Sequence, residues 1–299
     1  MTPPALDEAS IRRHRFRGAE PDVEIAAIEW PGDGPPALLH HANGFCAAMW
    51  APVAERLARH FRVFAVDARG HGDSSAPARE GAYAWAAMAR DLGAVARAVR
   101  DLAGAPRIAL GVGHSFGGTL TMTAASAEAG LYARAILIDP VILPRLTRAQ
   151  RAAAAENPMA ERARKRRHAW PSADEALGFF ADKPLFADFT PRALRLYVEQ
   201  ALRADASGEV RLKCEGRVEG AIFAGSVDFD PLAVAARADL PLRVLRATRG
   251  DFTRAAYEEL VATLPRGELG DIEGGHLVPM EQPERVADAI LAFAGAPPG

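Results

Sequence analysis

The chain has 299 residues, 49% of them apolar, which is enough to bury one large core and a length that fits one or two domains. A formal net charge of −2 supplies no basic field for nucleic acid and no strongly acidic one, and no uninterrupted apolar run approaches the ~20 residues that would span a bilayer. Two cysteines, Cys46 and Cys214, make no disulfide framework, and the start Met1-Thr-Pro-Pro-Ala-Leu-Asp-Glu8 lacks the basic and apolar regions of a signal peptide. The expectation is a cytoplasmic protein acting on a small molecule, with no nucleic-acid or membrane partner.

In chain order, Ile11 to Arg17 and Val23 to Trp30 read as an antiparallel hairpin around a Gly18-Ala-Glu-Pro21 turn. A short buried strand, Ala37-Leu38-Leu39, leads into His40-His41-Ala42-Asn43-Gly44-Phe45-Cys46, and a helix follows with Val53, Leu57 and Phe61 spaced by four. Arg62 to Asp67 is the next strand. Met88, Leu92, Val95, Val99 and Leu102 then trace one continuous helix face, which Gly104-Ala105-Pro106 stops. Two more buried strands, before Ser115 and at Ala135 to Asp139, flank an Ala/Thr-rich helix. Repeated alternation of doubly apolar strands with helices predicts an α/β fold, a mostly parallel central sheet with helices on both faces.

The alternation stops over residues 141–236. That stretch holds several helical pieces and no convincing parallel-sheet strand. One helix has Thr190 as N-cap and Pro191 at its first position, carries Leu194, Tyr197, Val198, Ala201 and Leu202 on one face, and is expected to end at Ser207-Gly208. The sheet resumes with Leu242 to Arg246, followed by a helix bearing Ala256, Tyr257, Leu260 and Leu264. A weak strand at Glu268 to Ile272 and a last helix with Val286, Ile290 and Phe293 complete the chain. The predicted division is a core of residues 1–140 and 237–299, with an insert of residues 141–236.

Chemistry concentrates at Gly113-His114-Ser115-Phe116-Gly117, where a buried strand runs straight into a helix. The two glycines remove the Cβ atoms that would collide in so sharp a reversal, so the serine hydroxyl is left exposed on a tight turn. The Phe116 N–H lies at a helix N-terminus, where unpaired donors favour a developing oxyanion. A serine hydroxyl needs a base within reach and a carboxylate to orient that base.

The elbow and the flanking pattern resemble the α/β-hydrolase superfamily, specifically its serine branch with a helical cap, over nearly the whole chain outside the insert. The resemblance implies a catalytic base at His276, in Glu273-Gly274-Gly275-His276-Leu277 between the last strand and the last helix. It implies Asp251 as the acid, in Ala247-Thr248-Arg249-Gly250-Asp251, with Asp139 at the end of the preceding strand as the alternative and Asp228 or Asp230 as weaker rivals. It implies a second oxyanion donor at the Asn43 N–H beside Phe116, although Ala42 stands where the family has glycine. His71 and His114 read as structural, and Cys46 as a small buried filler. The insert would be a cap rich in aromatics (Trp170, Phe179, Phe180, Phe186, Phe189, Tyr197, Phe223 and Phe229), some forming its own small core and two or three lining the pocket to enclose an apolar group.

These residues imply a serine hydrolase, without cofactor or metal, that cleaves a small to medium hydrophobic carboxylic ester or lactone through an acyl-enzyme. Carbon–carbon bond hydrolysis or a related lyase reaction would use the same three residues. A perhydrolase side activity is compatible, and a ligand receptor without turnover is a further class. An aspartate nucleophile, as in the dehalogenase and epoxide hydrolase branches, is excluded by Ser115. The basic run Arg162-Ala-Arg-Lys-Arg-Arg-His168 reads as a solvated face. No Lys-Ser/Thr follows the glycines after Gly113, as a phosphate loop would require.

Overall fold

A computed structural model describes residues 5–142 and 157–296. The hairpin forms as β1 (Arg12–Arg17) and β2 (Glu24–Trp30), antiparallel from Arg12 opposite Glu29 to Arg17 opposite Glu24. β3 (Pro36–His40), β4 (Arg62–Val66), β5 (Leu110–His114) and β6 (Ala135–Ile138) alternate with α1 (Ala51–Leu57), α2 (Trp85–Leu102) and α3 (Phe116–Ala127). Next come α4 (Pro158–Lys165), β7 (Ala169–Trp170), α5 (Ala173–Ala181), α6 (Pro191–Ala201), β8 (Leu202–Ala204), β9 (Val210–Leu212), α7 (Gly216–Gly225) and α8 (Pro231–Ala235). β10 (Leu242–Arg249), α9 (Arg254–Thr263), β11 (Gly267–Gly275), α10 (Val278–Glu281) and α11 (Pro283–Ala294) close the chain.

Among the described residues the main sheet has eight strands in the order β1-β2-β4-β3-β5-β6-β10-β11. β2 is antiparallel to both its neighbours, and β4 onward is parallel throughout. The two-residue period of a strand divides the core into two layers. Leu39, Val63, Ala65, Ile136 and Ile138 face α1 and α11, whereas Leu38, Phe64 and Leu137 face α2, α3 and α9. Parallel order brings the carboxyl ends of β3, β4, β5, β6 and β10 to one edge, with β11 running alongside. The residues that follow them, Ala42 to Cys46, Asp67 to Ser75, Ser115, Asp139, Asp251 and His276, therefore emerge together, where open α/β sheets place their sites.

The insertion contains the expected helical pieces and, besides them, short antiparallel strands that the reading of its helices did not include. The α6 helix begins as predicted, with Thr190 Oγ1 accepting from the Ala193 N–H, but ends at Ala201. Ser207-Gly208 belongs to a hairpin turn between β8 and β9, with Gly208 at φ +87°. With β7 these strands make a small antiparallel sheet in the order β7-β9-β8. The helix stop and the turn share the same residue types, so the dipeptide alone did not separate them. Among the described residues, no helix is long and apolar enough to cross a membrane.

The loop after β4 is held by a buried charge network. Arg69, 1% exposed, donates to both carboxylate oxygens of Asp91 at 2.5 and 2.8 Å, to the Ala82 carbonyl at 2.7 Å and to Glu20 at 2.9 Å. Removing one partner strands the other charge. Arg69→Met is expected to lower the free energy of unfolding by about 3–5 kcal/mol, read from urea denaturation, because Asp91 keeps only its bond from the Ala19 N–H. A loss below about 1 kcal/mol would show that the network does not hold this loop.

Candidate active site

Ser115 connects β5 to α3 at φ 56° and ψ −124°, a conformation that non-glycine residues rarely adopt. Its N–H donates to the Ile138 carbonyl at 2.9 Å, which ties the turn to the neighbouring strand. A Cβ at position 113 would collide with the Gly117 backbone, and one at position 117 with the His41 carbonyl and the His40 ring. The glycines thus let α3 fold back on β5 and let its first turn lie against the loop after β3. Phe116 is the first residue of α3, so its N–H is among those a helix leaves unpaired.

His276, one residue beyond β11, completes a continuous hydrogen-bonded chain. Its Nε2 lies 2.8 Å from Ser115 Oγ, and its Nδ1 lies 2.6 Å from Asp139 Oδ2. With Nδ1–H donating to the carboxylate, Nε2 is the acceptor for the serine hydroxyl, the tautomer that general-base chemistry requires. Two contacts hold the loop that carries it. His114 Nε2–H donates to the His276 carbonyl at 2.7 Å, and the Gly275 N–H donates to Glu281 at 2.6 Å.

The carboxylate at His276 is that of Asp139, a correction to the expectation of Asp251. Asp251 Oδ2 lies 3.9 Å from Nδ1, and its side chain is 65% exposed. Asp139 is wholly buried at φ 42°, and its Oδ1 accepts from the Ala247 N–H and the Tyr257 hydroxyl, each at 2.9 Å. The physical reason lies in the packing of adjacent strand ends. β6 and β10 are neighbours, so both aspartates emerge beside the imidazole, and the one with fixed donors around it takes the contact. Gly250 has no Cβ, and one there would strike the Asp139 carboxylate. Of the weaker rivals, Asp230 caps α8 by accepting from the Ala233 N–H, and Asp228 lies in the short turn of helix before it.

The loop after β3 is set by histidines. The Ala42 carbonyl accepts from His41 Nδ1–H at 2.7 Å and from the Phe45 N–H at 3.2 Å. Because the peptide unit is planar and trans, fixing that carbonyl aims the Asn43 N–H the opposite way. His41 Nε2 accepts from the Ala68 N–H at 2.9 Å, and His71 Nε2 accepts from the Gly44 N–H at 3.0 Å. Asp67, with its pKa pushed up to about 6 by burial, accepts from the Ala47 and Asp73 N–H groups and joins this loop to the one after β4. Burial pushes the Cys46 thiol up to about 12, so it stays protonated and acts as a filler.

Sequence reasoning missed several residues here. Tyr257 was read as part of an apolar helix face, yet a buried tyrosine hydroxyl needs a partner, and that was the available signal. In the basic run, Arg162, Arg164 and Lys165 are exposed as expected, but Arg166 turns inward, with Nη1 2.8 Å from Glu219 Oε2. Aromatics of the insertion converge on the loop after β3. Phe45 packs against Phe186, Phe189 and, edge-on, Tyr197 at centroid distances of 6.5, 6.2 and 5.4 Å. On the other side Phe229 lies 5.6 Å from Trp85, whose ring is 5.0 Å from that of Phe116.

The strand order and the elbow define an α/β hydrolase. The profile of the alpha/beta hydrolase family matches residues 37–289, and the chain belongs to that family. It is 31% identical over 139 residues to an uncharacterized protein of Mycobacterium tuberculosis, covering 46% of this chain and 36% of that one. It is also 38% identical over 87 residues to a pimeloyl-[acyl-carrier protein] methyl ester esterase of Vibrio vulnificus, covering 29% of each. The chain thus matches well under half the length of these curated relatives. The solved structure of an E-2-(acetamidomethylene)succinate hydrolase aligns with a TM-score of 0.79 over 96% of this chain and 100% of that one, at 22% identity, a likeness of fold.

Burial holds four histidines around the site in the neutral form. The pKa is pushed down to about 4 at His40, to about 3 at His71 and His114, and well below its usual value at His41. In the unfolded chain these groups titrate near 6.5, so between pH 6.5 and about 4 the folded state binds fewer protons and loses stability as the pH falls. Asp67 and Glu219 act in the opposite sense, since burial raises both pKa values and such groups add stability as the pH falls, but they are two groups against four. The melting temperature is therefore expected to drop steadily from pH 7 to pH 5, each histidine contributing up to ~1.4 kcal/mol per pH unit. A flat or rising profile would contradict the neutral-imidazole assignment.

Proposed function

We propose that this hydrolase cleaves carboxylic esters or lactones through a serine acyl-enzyme. The reading is carried by the unbroken chain from Ser115 Oγ through His276 to Asp139, at 2.8 and 2.6 Å. Ser115 Oγ attacks the substrate carbonyl carbon and gives its proton to His276 Nε2. Asp139 holds the imidazolium through Nδ1–H, and the N–H groups of Asn43 and Phe116 bind the oxyanion. His276 returns the proton to the leaving alcohol as the acyl–oxygen bond breaks. Water, deprotonated by the same nitrogen, then releases the acid and regenerates the serine hydroxyl. The insertion acts as a cap. Its aromatics, gathered on Phe45 and Trp85, favour a small to medium apolar acyl or aryl group over acetate and over long lipid chains.

Initial rates across aryl esters of increasing acyl length test the substrate class. kcat/KM is expected to rise from acetate to a medium chain and then fall, and Ser115→Ala is expected to lower kcat by about three orders of magnitude or more. No turnover across the panel, or a monotonic rise to long chains, would overturn it.

The acid has its own test. Asp139→Asn is expected to lower kcat by about 10³–10⁴-fold, because an amide favours the wrong imidazole tautomer, whereas Asp251→Asn costs less than about tenfold. Comparison of the two purified, folded variants decides it, and the reverse ranking would move the acid to Asp251.

A further inference from the structure

The side chain of Asn43 is used in a way that the reaction does not explain. Its Nδ2–H donates to the backbone carbonyl of Glu219, in α7 of the insertion, at 3.1 Å across 176 positions of sequence. The dipeptide Asn43-Gly44 is therefore held from both sides, by His71 from the core and by Glu219 from the insertion. Gly44 has φ +84°, and a Cβ there would stand 2.7 Å from Glu219 Oε1, so the loop surface is shaped to the carboxylate.

Glu219 is itself held in place. It is 8% exposed, burial raises its pKa, and Arg166 beside it works against that rise. Arg166 also donates to the Cys214 carbonyl at 3.4 Å, which anchors the chain leading into α7. The helices that carry the pair are in close contact. A Cβ at Gly216 would strike the Ala163 carbonyl, and one at Gly220 would lie 2.8 Å from the Ala160 carbonyl. A buried ion pair adds little net stability, and its best-attested use is to specify one geometry.

We propose that Arg166 and Glu219 are positioning residues: they place the Glu219 carbonyl so that it pins the Asn43 side chain and sets the oxyanion donor on that residue's backbone. The inference rests on the serine-hydrolase reading above. It makes the insertion part of the transition-state machinery: the core sets the Ala42 carbonyl through His41, and the docked insertion fixes the Asn43 side chain, so the donor is fully aimed only when both contacts are made.

The test compares Asn43→Ala, which keeps the backbone N–H and loses the pin, with Arg166→Gln and Arg166→Lys. For each, kcat and KM are measured on an aryl ester, together with the inhibition constant of an alkyl boronic acid, whose tetrahedral adduct on serine mimics the transition state. Asn43→Ala and Arg166→Gln are expected to lower kcat about tenfold or more, with KM changed less than about threefold and boronate affinity falling in parallel with kcat/KM. Arg166→Lys is expected to recover most of the loss. Unchanged kcat in either folded variant overturns the proposal, as does a rise in KM at constant kcat, which would make these residues substrate contacts. If Arg166→Gln fails to fold, Glu219→Gln, which removes the charge pair and keeps the carbonyl, takes its place with the same expected loss, because the Asn43 side chain also lies 3.1 Å from His71 Nε2. Persistent activity in Ser115→Ala would instead overturn the underlying reading.

Discussion

The reversal of the chain at Ser115 is the constraint on which the rest of the site depends. A serine at φ 56° stores about 1–3 kcal/mol of backbone strain, which persists only where surrounding bonds determine it. Here the Ser115 N–H bonds to the Ile138 carbonyl, and the Ser115 carbonyl accepts from Gly118 and Val141, so the turn is stitched to the exit of β6. The same close approach presses the first turn of α3 against the loop after β3. One backbone constraint thereby sets the distances among serine, helix N-terminus and the Asn43 loop.

The second requirement is a buried carboxylate held in one place. Asp139 meets it by accepting from the Ala247 N–H, the Tyr257 hydroxyl and His276 Nδ1–H, with no water access of its own. The histidines around it are used oppositely. His41 and His71 accept backbone N–H groups, which only the neutral ring can do, and His114 donates to a carbonyl. Burial keeps all three uncharged, so they brace the loops without adding positive charge beside the imidazole of His276.

The insertion is coupled to the core by chemistry of two kinds. Aromatic contacts to Phe45 and Trp85 are broad and tolerate small shifts. The Asn43 bond to Glu219 is directional, the Arg166–Glu219 ion pair lies behind it, and both meet the loop at one dipeptide. The apolar contacts supply adhesion, and the polar ones define register.

Much of this was legible from sequence because it is local. The doubly apolar strands, the single face of α2, the hairpin of β1 and β2 and the glycines around Ser115 each follow from period or from backbone sterics within a few residues. His276 came from the family resemblance, through its place between the last strand and the last helix. The choice between Asp139 and Asp251 was not, because both leave neighbouring parallel strands at the same edge. Their separation from one nitrogen, 2.6 against 3.9 Å, depends on Tyr257 and Gly250, which local pattern does not connect to either. The β8–β9 hairpin and the inward turn of Arg166 escaped for the same reason. Sequence by itself determined the order of elements, the elbow and the set of polar residues gathered at the sheet edge, since period, chirality and strand direction are properties of the chain. Tertiary structure alone decided which carboxylate touches the imidazole and which arginine of the basic run turns inward, since those outcomes rest on ångström-scale packing between segments more than 50 residues apart.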